Sequence, residues 1–173
     1  MISEFEPALG VLVRRALIHE SSAIASTLRE AFIEYEPLYT PAGFAATTPA
    51  SNQIRERWNE GPVWVAVQNA DIVGAVAAVS KSSGLYVRSM AVLPSARGQG
   101  IAGRLLKEVQ LFAIDHHHTQ LFLSTTPFLK QAIRLYENFG FERSEEGAHD
   151  LFGTPLFTMI KRLTPSDGVS QRE

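Results

Sequence analysis

The chain has 173 residues, 45% of them hydrophobic and 20% charged, which is typical of one globular domain with a substantial core. Its formal net charge of −2 gives no electrostatic basis for a nucleic-acid partner or a membrane, and no apolar run approaches the length of a membrane helix. The lack of cysteine excludes disulfides and zinc–thiolate sites, and with an acidic rather than secretory N-terminus it predicts a cytoplasmic protein.

The N-terminal third predicts one strand followed by two helices. A short β-branched run over 11–17 indicates the strand. Apolar residues at helical spacing over 24–35, behind a serine cap, indicate the first helix. Three prolines interrupt the periodicity over 37–49. A second helix is expected to run over 49–59, with Thr48 as its cap and proline as its first residue.

The rest of the chain predicts five more strands and two helices. One helix should follow Gly100 and end near the histidines at 116–118. The other should begin at Pro127, end at Gly140 as a left-handed cap, and be well buried, because apolar residues surround much of it. Strands are expected over 63–68, 72–80, 84–94, 120–126 and 155–163, the first two joined as a hairpin.

These elements predict an α/β fold with a mixed sheet, antiparallel in its first half and flanked by helices. Residues 1–163 are expected to form a single domain. Residues 164–173 read as a polar, flexible C-terminal tail.

The segment ARGQGIAGRLL over 96–106 is the strongest candidate for a binding site. Gly98, Gly100 and Gly103 directly precede the predicted helix. A helix N-terminus leaves backbone N–H groups unpaired and carries partial positive charge, and glycines let an anion approach the backbone. Arg97 adds a full charge beside them. The loop is therefore interpreted as a phosphate or pyrophosphate site, with a close-packing turn as the structural alternative.

Two common phosphate-binding motifs do not fit this segment. A dinucleotide fingerprint should open a βαβ unit and be followed about 20 residues later by an acidic residue. Here a hairpin precedes the loop, and the next strand ends in STTP without a carboxylate. A phosphate-loop ATPase needs Lys-Ser or Lys-Thr where this chain has Arg104-Leu105. Both a nicotinamide enzyme and an ATPase are therefore disfavoured.

Two motifs instead resemble the GCN5-related N-acetyltransferase (GNAT) superfamily. The segment VRSMAVLPSARGQGIAGRLL resembles its acetyl-CoA signature, with Arg97, Gly100 and Ala102 at the pattern positions. The segment AIRLYENFGF over 132–141 resembles its second signature. The order of elements resembles the family over 11–163, nearly the whole chain. The resemblance implies a V-shaped splay between the strands at 84–93 and 120–126, into which the cofactor slides.

The resemblance also implies which residues hold acetyl-CoA, the expected co-substrate, with no metal. Main-chain groups of Met90 and Val92 would pair with the pantetheine arm, and an N–H within this strand would stabilise the oxyanion. The family often has a cofactor-binding asparagine where this chain has Leu129, so that contact is expected to be either absent or moved to Thr125 or Thr126. The full set of expected cofactor-binding residues is Met90, Ala91, Val92, Arg97, Gly98, Gln99, Gly100, Ile101, Ala102, Gly103, Thr125 and Thr126.

Acetyl transfer to an amine needs a proton for the departing thiolate and a neutral amine to attack. The resemblance implies that Tyr136 is the general acid, with an ordinary core tyrosine as the alternative. The general base is left open among Glu34, Glu36, Tyr39 and Tyr86, because a chain of water molecules can also serve.

The acceptor would be a primary amine of a small molecule or peptide. Tyr39 and Phe44 lie where the family binds its acceptor, and simple packing is the alternative for both. Tyr86 and Arg88 could face the acceptor, although a surface salt bridge is the favoured interpretation for Arg88. Dimers are common among similar proteins, so a homodimer is one expectation.

Two further points stay open at this stage. The three histidines at 116–118 cannot all ligate one ion, since neighbours on a helix point about 100° apart. The sequence does not exclude a non-catalytic acyl-CoA sensor on the same fold.

Overall fold

The computed structural model describes residues 10–146 and 148–169, which form a central sheet covered by helices on both faces. The strands are β1 (Leu12–Arg15), β2 (Val63–Gln68), β3 (Asp71–Lys81), β4 (Gly84–Val92), β5 (Gln120–Thr125), β6 (Glu142–Arg143), β7 (His149–Leu151) and β8 (Thr154–Arg162). The helices are α1 (Ser21–Phe32), α2 (Pro41–Thr47), α3 (Ser51–Glu56), α4 (Ile101–Asp115), α5 (Lys130–Phe139) and α6 (Ser166–Val169). Short 3-10 helices lie at Ile18–Glu20, Ile33–Leu38, Trp58–Glu60 and Pro94–Ala96.

The sheet is mixed and mostly antiparallel, as the sequence predicts. Its strand order is β1-β2-β3-β4-β5-β8-β6, and β7 pairs with β8 as a short hairpin. Every pairing is antiparallel except that of β4 with β5. A crossover through α4 joins these two strands, which is why they can run parallel.

Each face of the sheet packs on its own hydrophobic core. On one face, Leu105 and Val109 of α4 pack with Leu85, Leu121 and other strand residues. On the other face, α1 and α3 pack against β2, β3 and the end of β4. Successive residues of a strand point to opposite faces of the sheet. The strand residues that alternate with Leu85 and Leu121 therefore face the α1–α3 side.

A β-bulge explains why β4 leaves its neighbour. The register of β3 with β4 shifts between Ala75 and Ala77, so that one β3 residue faces Ser89 and Met90 together. Ser89 has a φ of 55°, in the left-handed region that non-glycine residues rarely adopt. A bulge of this kind bends its strand and increases the local twist. The bulge thus turns the end of β4 away from β5.

The segment before α3 differs from the expectation. Residues 41–47, within the stretch expected to lack periodic structure, form α2, capped by the Thr40 side chain, which accepts a hydrogen bond from the Gly43 N–H. The next helix starts at Ser51, not at Pro49, because the Thr48 N–H bonds the Phe44 carbonyl and ends α2 there. The helix that begins with a proline is therefore α2, and the fixed φ of Pro41 suits this first position.

The expectation for α5 is wrong in two respects. The helix begins at Lys130, because Leu129 has a ψ of 64° and cannot continue a helix towards Pro127. Only Tyr136 among its residues is fully buried. The other apolar residues of α5 are only partly buried. Ala132, Ile133, Leu135 and Phe139 pack against the α4 core, and Ala132 and Leu135 also border an open cleft. The left-handed cap of α5 at Gly140, with a φ of 105°, is confirmed.

Part of the predicted C-terminal tail packs on the domain. The short helix α6 follows β8, and its buried Gly168 lies against Ile114 of α4. Residues 170–173 and the acidic first nine residues lie outside the described residues. Within the described ranges, none of the helices combines the length and apolar character needed to cross a bilayer.

The β2–β3 hairpin turn offers a simple stability prediction. Asn69 and Ala70 both have positive φ, 52° and 65°. Two-residue hairpin turns of this kind favour Asn-Gly, and a side chain in the left-handed region costs about 1–2 kcal/mol. Ala70→Gly should therefore raise the free energy of unfolding by about 0.5–1 kcal/mol after the entropy of unfolded glycine is counted. The melting midpoint should rise by about 1–3 °C.

The control is Ala75→Gly, since Ala75 is buried in the middle of β3 and has no positive φ. That change should lower the midpoint. A midpoint for Ala70→Gly that is unchanged or lower would contradict the strain at this turn.

Candidate functional site

The loop between β4 and α4 adopts a conformation that depends on its glycines. Gly98 and Gly100 have φ values of 81° and 75°, in the left-handed region. A Cβ added at Gly98, Gly100 or Gly103 would meet no heavy atom within 4 Å, so all three glycines border open space. The close-packing alternative is therefore not what the structure shows.

The N-terminus of α4 has no capping side chain. Gly100 occupies the cap position, and the first backbone bond of the helix runs from the Arg104 N–H to the Gly100 carbonyl at 3.2 Å. The N–H groups of the first turn have no carbonyl partner within an α-helix. Together with the helix dipole they can hold an anion in the open space beside the glycines.

The parallel strands β4 and β5 separate next to this loop. They pair only at Leu85 with Leu121 and Tyr86 with Phe122, although β4 continues to Val92. Beyond those pairs, β4 keeps its hydrogen bonds to β3 and faces a gap on its other side. The predicted V-shaped splay is therefore present, and it begins at Tyr86.

One cleft of about 340 Å³ runs from the glycine loop into this splay. It is bordered by the end of β4, the start of α4, one side of α5 and the end of α1. Its lining residues are Ala31, Phe32, Tyr35, Met90, Ala91, Val92, Arg97, Gly98, Gly100, Ile101, Ala102, Gly103, Leu129, Gln131, Ala132, Leu135 and Tyr136.

Most residues expected to bind the cofactor therefore lie around one cleft, but three do not line it. The exposed Gln99 side chain bonds Gln68 at 3.0 Å. Thr125 and Thr126 are buried beside the cleft rather than along it. Among the residues that the structure describes, the Thr126 hydroxyl has no well-formed hydrogen bond. Its interaction with the Tyr39 hydroxyl nevertheless offsets part of the rise that burial causes in the pKa of Tyr39.

The sequence analysis placed Tyr136 and Leu129 at the site but missed the rest of the α5 side and the α1 side of the cleft. Phe32 and Tyr35 come from the end of α1 and the 3-10 helix after it. On α5, Ala132, Leu135 and Tyr136 share one helical face, and Leu129 precedes them at the same spacing. That spacing was a usable signal, but apolar spacing alone cannot distinguish the wall of a cleft from a core.

Arg97 links the glycine loop to the end of α1. Its Nη1 lies 2.6 Å from Glu34 Oε1, and its Nη2 donates to the Ala31 carbonyl at 3.1 Å. Both side chains of the ion pair are partly solvent-accessible, so the pair adds little stability. It does hold the guanidinium at the edge of the cleft, and it occupies the carboxylate of Glu34.

Tyr136 reaches the cleft from α5 and is 7% exposed. Burial raises the pKa of its phenol well above the ordinary value, and the nearby Tyr39 and Tyr86 raise it further. The phenol therefore stays protonated throughout the neutral range, so that it can donate a hydrogen bond.

The residues expected on the acceptor side mostly pack against one another. The rings of Tyr39 and Phe44 lie 5.9 Å apart, and Phe128 meets Tyr39 edge-on at 4.9 Å. Burial raises the pKa of Tyr39. Tyr86 packs on Phe122 with ring centroids 5.1 Å apart. These contacts form an aromatic wall beside the splay.

Arg88 makes the salt bridge that the sequence favoured. Its Nη1 lies 2.7 Å from Glu60 Oε2, and both side chains are partly accessible. Its charge is therefore balanced within the chain.

The β7–β8 hairpin is tied to the segment that carries Tyr39. The Thr40 N–H donates to Thr154 Oγ1 at 2.9 Å, and the Thr40 hydroxyl donates to the Phe152 carbonyl at 2.8 Å. Gly43 packs so closely here that a Cβ would lie 2.3 Å from Thr154 Oγ1. The hairpin thus covers the α1–α3 side of the sheet next to the aromatic wall.

The three consecutive histidines have separate surroundings. His116 Nδ1 lies 2.9 Å from the Phe112 carbonyl, and His118 Nε2 lies 3.0 Å from Ser80 Oγ. Within the part of the chain that the structure describes, no three metal-ligating side chains come together as a candidate ion site.

Comparison with known proteins agrees with this fold. A family model described as an acetyltransferase (GNAT) domain matches residues 59–143. The uncharacterized N-acetyltransferase YjgM of Escherichia coli (strain K12) is 30% identical over 137 residues, which cover 76% of this chain and 81% of that protein. The N-acetylaspartate synthetase of Homo sapiens is 36% identical over 98 residues, 56% of this chain but only 32% of that protein. The chain thus spans about a third of the length of that synthetase.

Solved structures share the whole architecture at low sequence identity. The PaiA N-acetyltransferase from Thermoplasma acidophilum, in complex with coenzyme A, has a TM-score of 0.75 at 13% identity, covering 89% of this chain and 99% of that one. An acetyltransferase of the GNAT family from Staphylococcus aureus Mu50 has a TM-score of 0.72 at 16% identity, covering 90% and 100%. From the family model, the Escherichia coli relative and the split sheet, this chain belongs to the GNAT superfamily of acetyltransferases.

Proposed function

We propose that the protein is an acetyl-CoA-dependent N-acetyltransferase that moves the acetyl group to a primary amine of a small molecule or protein by direct attack. The proposal rests on one observation: an uncapped helix N-terminus and a buried, protonated phenol open onto the same cleft. The first suits a pyrophosphate. The second suits a departing thiolate.

The cleft residues fit CoA as a ligand. Backbone N–H groups of the loop, from Gly98 through Gln99, Gly100, Ile101 and Ala102 to Gly103, would hold the pyrophosphate, with the Arg97 guanidinium beside them. The unpaired edge of β4 at Met90, Ala91 and Val92 would hydrogen-bond the amides of the pantetheine arm in the manner of an added strand.

The reaction needs three contributions from this chain. A neutral amine attacks the thioester carbonyl, and a β4 backbone N–H within Met90–Val92 would stabilise the negative charge on the oxygen. The carbon–sulfur bond then breaks, and Tyr136 would give its proton to the thiolate. The Ile33–Leu38 helix, α2 and the β7–β8 hairpin would surround the acceptor, with Tyr39, Phe44, Tyr86 and Arg88 as candidate contacts.

The relatives support this proposal and suggest where to look for the acceptor. A structural neighbour is described in complex with coenzyme A. The synthetases named for N-acetylaspartate imply that amino acids belong among the amines to be tested. The lack of cysteine agrees with a cytoplasmic location, which we also propose.

A second candidate is an acyl-CoA-binding sensor on the same fold. It is favoured by Leu129, which lines the cleft with an apolar side chain where the family resemblance leads one to expect an asparagine. Such a protein would bind CoA without turnover.

Free thiol release distinguishes the two functions. The full chain is mixed with acetyl-CoA and a panel of amino acids, polyamines, aromatic amines and short peptides, and the CoA thiol is measured with a chromogenic disulfide reagent. Amine-dependent release, with acetylated amine confirmed by mass spectrometry, is expected. Tight CoA binding without release for any amine would favour the sensor, and the absence of both would contradict both functions.

A further inference from the structure

The α1–α3 face of the sheet carries an imidazole at the open end of the splay. His149 of β7 has its Nε2 3.2 Å from Ser124 Oγ of β5. Ser124 lies two residues beyond Phe122, the last β5 residue that pairs with β4. At about 3.3 Å per residue, Ser124 stands roughly 7 Å into the gap between the strands.

His149 lies on the side from which an acceptor would approach. Leu121 and Leu123 face the α4 core, so the alternation of β5 puts Phe122 and Ser124 on the opposite face, with Tyr86 beside Phe122. The start of α4 and one side of α5 line the cleft of the glycine loop from the other side of the sheet, and the end of α1 lines it from the side of His149. A thioester reaching through the splay would therefore meet Tyr136 from one face and His149 from the other.

The hairpin that carries His149 is held in place at two points. Thr154 of β8 accepts a hydrogen bond from the Thr40 N–H, and the Phe152 carbonyl accepts one from the Thr40 hydroxyl. The residue before Thr40 is Tyr39, whose phenol is close enough to Tyr136 to raise its pKa. His149 is thus tied, through the hairpin, to the segment next to the proton donor.

Three other groups that could act as a base are occupied or protonated, whereas Glu36 and Tyr86 stay open as alternatives. Glu34 is paired with Arg97 at 2.6 Å. Burial raises the pKa of Tyr39, so its phenol is protonated at neutral pH and cannot accept a proton. Glu60 is paired with Arg88 on the same face. Imidazole is the side chain that most often serves as a general base, and His149 is exposed to solvent.

We propose that His149 is the general base that deprotonates the acceptor amine, an inference that depends on the transferase function proposed above. With Nε2–H donating to Ser124 Oγ, the lone pair of the neutral ring lies on Nδ1, where it takes one proton from the ammonium group. The neutral amine forms the new C–N bond, the C–S bond breaks, and the thiolate takes the Tyr136 proton. The nitrogen then loses its second proton through water to the Tyr136 phenolate. His149 returns its own proton to solvent, so one proton is released per turnover.

The charged groups around His149 are few along the elements that pack near it. β5 has no charged residue, and β8 has none before Lys161. Asp150, next to His149, accepts a hydrogen bond from the Gly153 N–H. Along the chain, Glu145 and Glu146 precede β7, and Glu36 belongs to the Ile33–Leu38 helix.

His149→Gln tests the proposal in the full chain, using an amine that the wild type acetylates. At pH 7 the kcat/KM for the amine should fall by about 10²–10³, with unchanged affinity for CoA. The decline of kcat/KM towards acid pH that a base produces should disappear from the variant's profile. His149→Ala should recover part of its rate when imidazole is added, which a structural role would not allow. Ser124→Ala should lower kcat/KM by less than about tenfold, because it removes the hydroxyl that orients His149 but leaves the imidazole in place.

A second Ser–His contact provides the matched control. Ser80 Oγ lies 3.0 Å from His118 Nε2, at the end of α4. His118→Gln should keep kcat/KM within about twofold of the wild type, since it removes an imidazole outside the site. If the wild type acetylates the amine and His149→Gln keeps the same rate and pH profile, the role proposed for His149 is wrong while the transferase function stands. A wild type that acetylates no amine would overturn the transferase function as well.

Discussion

Replacing Gly100 by glutamate is expected to weaken CoA binding by at least about 100-fold, or roughly 2.7 kcal/mol. The carboxylate would stand at the cap of α4, among the N–H groups proposed to hold the pyrophosphate. It would compete for those donors and repel the phosphates. No heavy atom lies within 4 Å of the new Cβ position, so the side chain enters open space rather than the core. Isothermal titration with CoA measures the change directly.

Gly100→Gln is the matched control for this effect. It introduces the same bulk and the same left-handed strain at a φ of 75°, but no charge. Its CoA affinity should lie well above that of Gly100→Glu, and both variants should lose similar thermal stability. Equal affinity for glutamate, glutamine and glycine at this position, in folded protein, would contradict a pyrophosphate site on this loop.

Tyr136→Phe is expected to lower kcat by about 10²–10³ with little change in CoA affinity, because general acid catalysis contributes about that much. The phenylalanine keeps the ring packing, including the contact with Phe141 at 5.8 Å. It removes the proton proposed for the leaving thiolate. Steady-state thiol release and CoA titration give the two quantities separately.

The control for this change is Thr27→Val, which removes another buried hydroxyl. Thr27 lies on α1, donates to the Ala23 carbonyl at 2.9 Å and does not itself line the cleft. It should affect stability and leave kcat within about twofold. If Tyr136→Phe also kept its kcat, Tyr136 would be only a core residue.

Local signals in the sequence predicted the parts of the fold that depend on neighbouring residues. Asn69 in the hairpin turn, the cap at Gly140 and the loop at Gly98 and Gly100 adopt left-handed backbone conformations that their residue types favour. Repeated apolar spacing likewise predicted α4 and the strands. The glycine loop could therefore be placed before a helix without knowledge of the rest of the chain.

The walls of the site depend on contacts between distant residues, so the sequence did not reveal them. Thr40 meets Thr154 although 114 positions separate them, and this contact positions both α2 and the β7–β8 hairpin. The position of His149 also depends on distant residues. Its neighbours in the chain do not indicate a functional role, and only the pairing of β7 with β8 brings it to Ser124. Leu129 and Ala132 looked like core residues because spacing does not show whether an apolar side faces protein or an open cleft.

The split between β4 and β5 leaves two sheet edges inside the molecule rather than at its border. Open edges pair readily with strands of other molecules and lead to aggregation, so proteins usually charge, bulge or cover them. Here Phe32 and Ala31 stand on one side of the gap, and Ala132 and Leu135 of α5 stand on the other. A foreign strand, whose side chains project from both faces, would collide with these walls. A ligand with a thin, unbranched chain would not collide with these walls. The walls therefore admit such a ligand and at the same time protect the strand edges against aggregation.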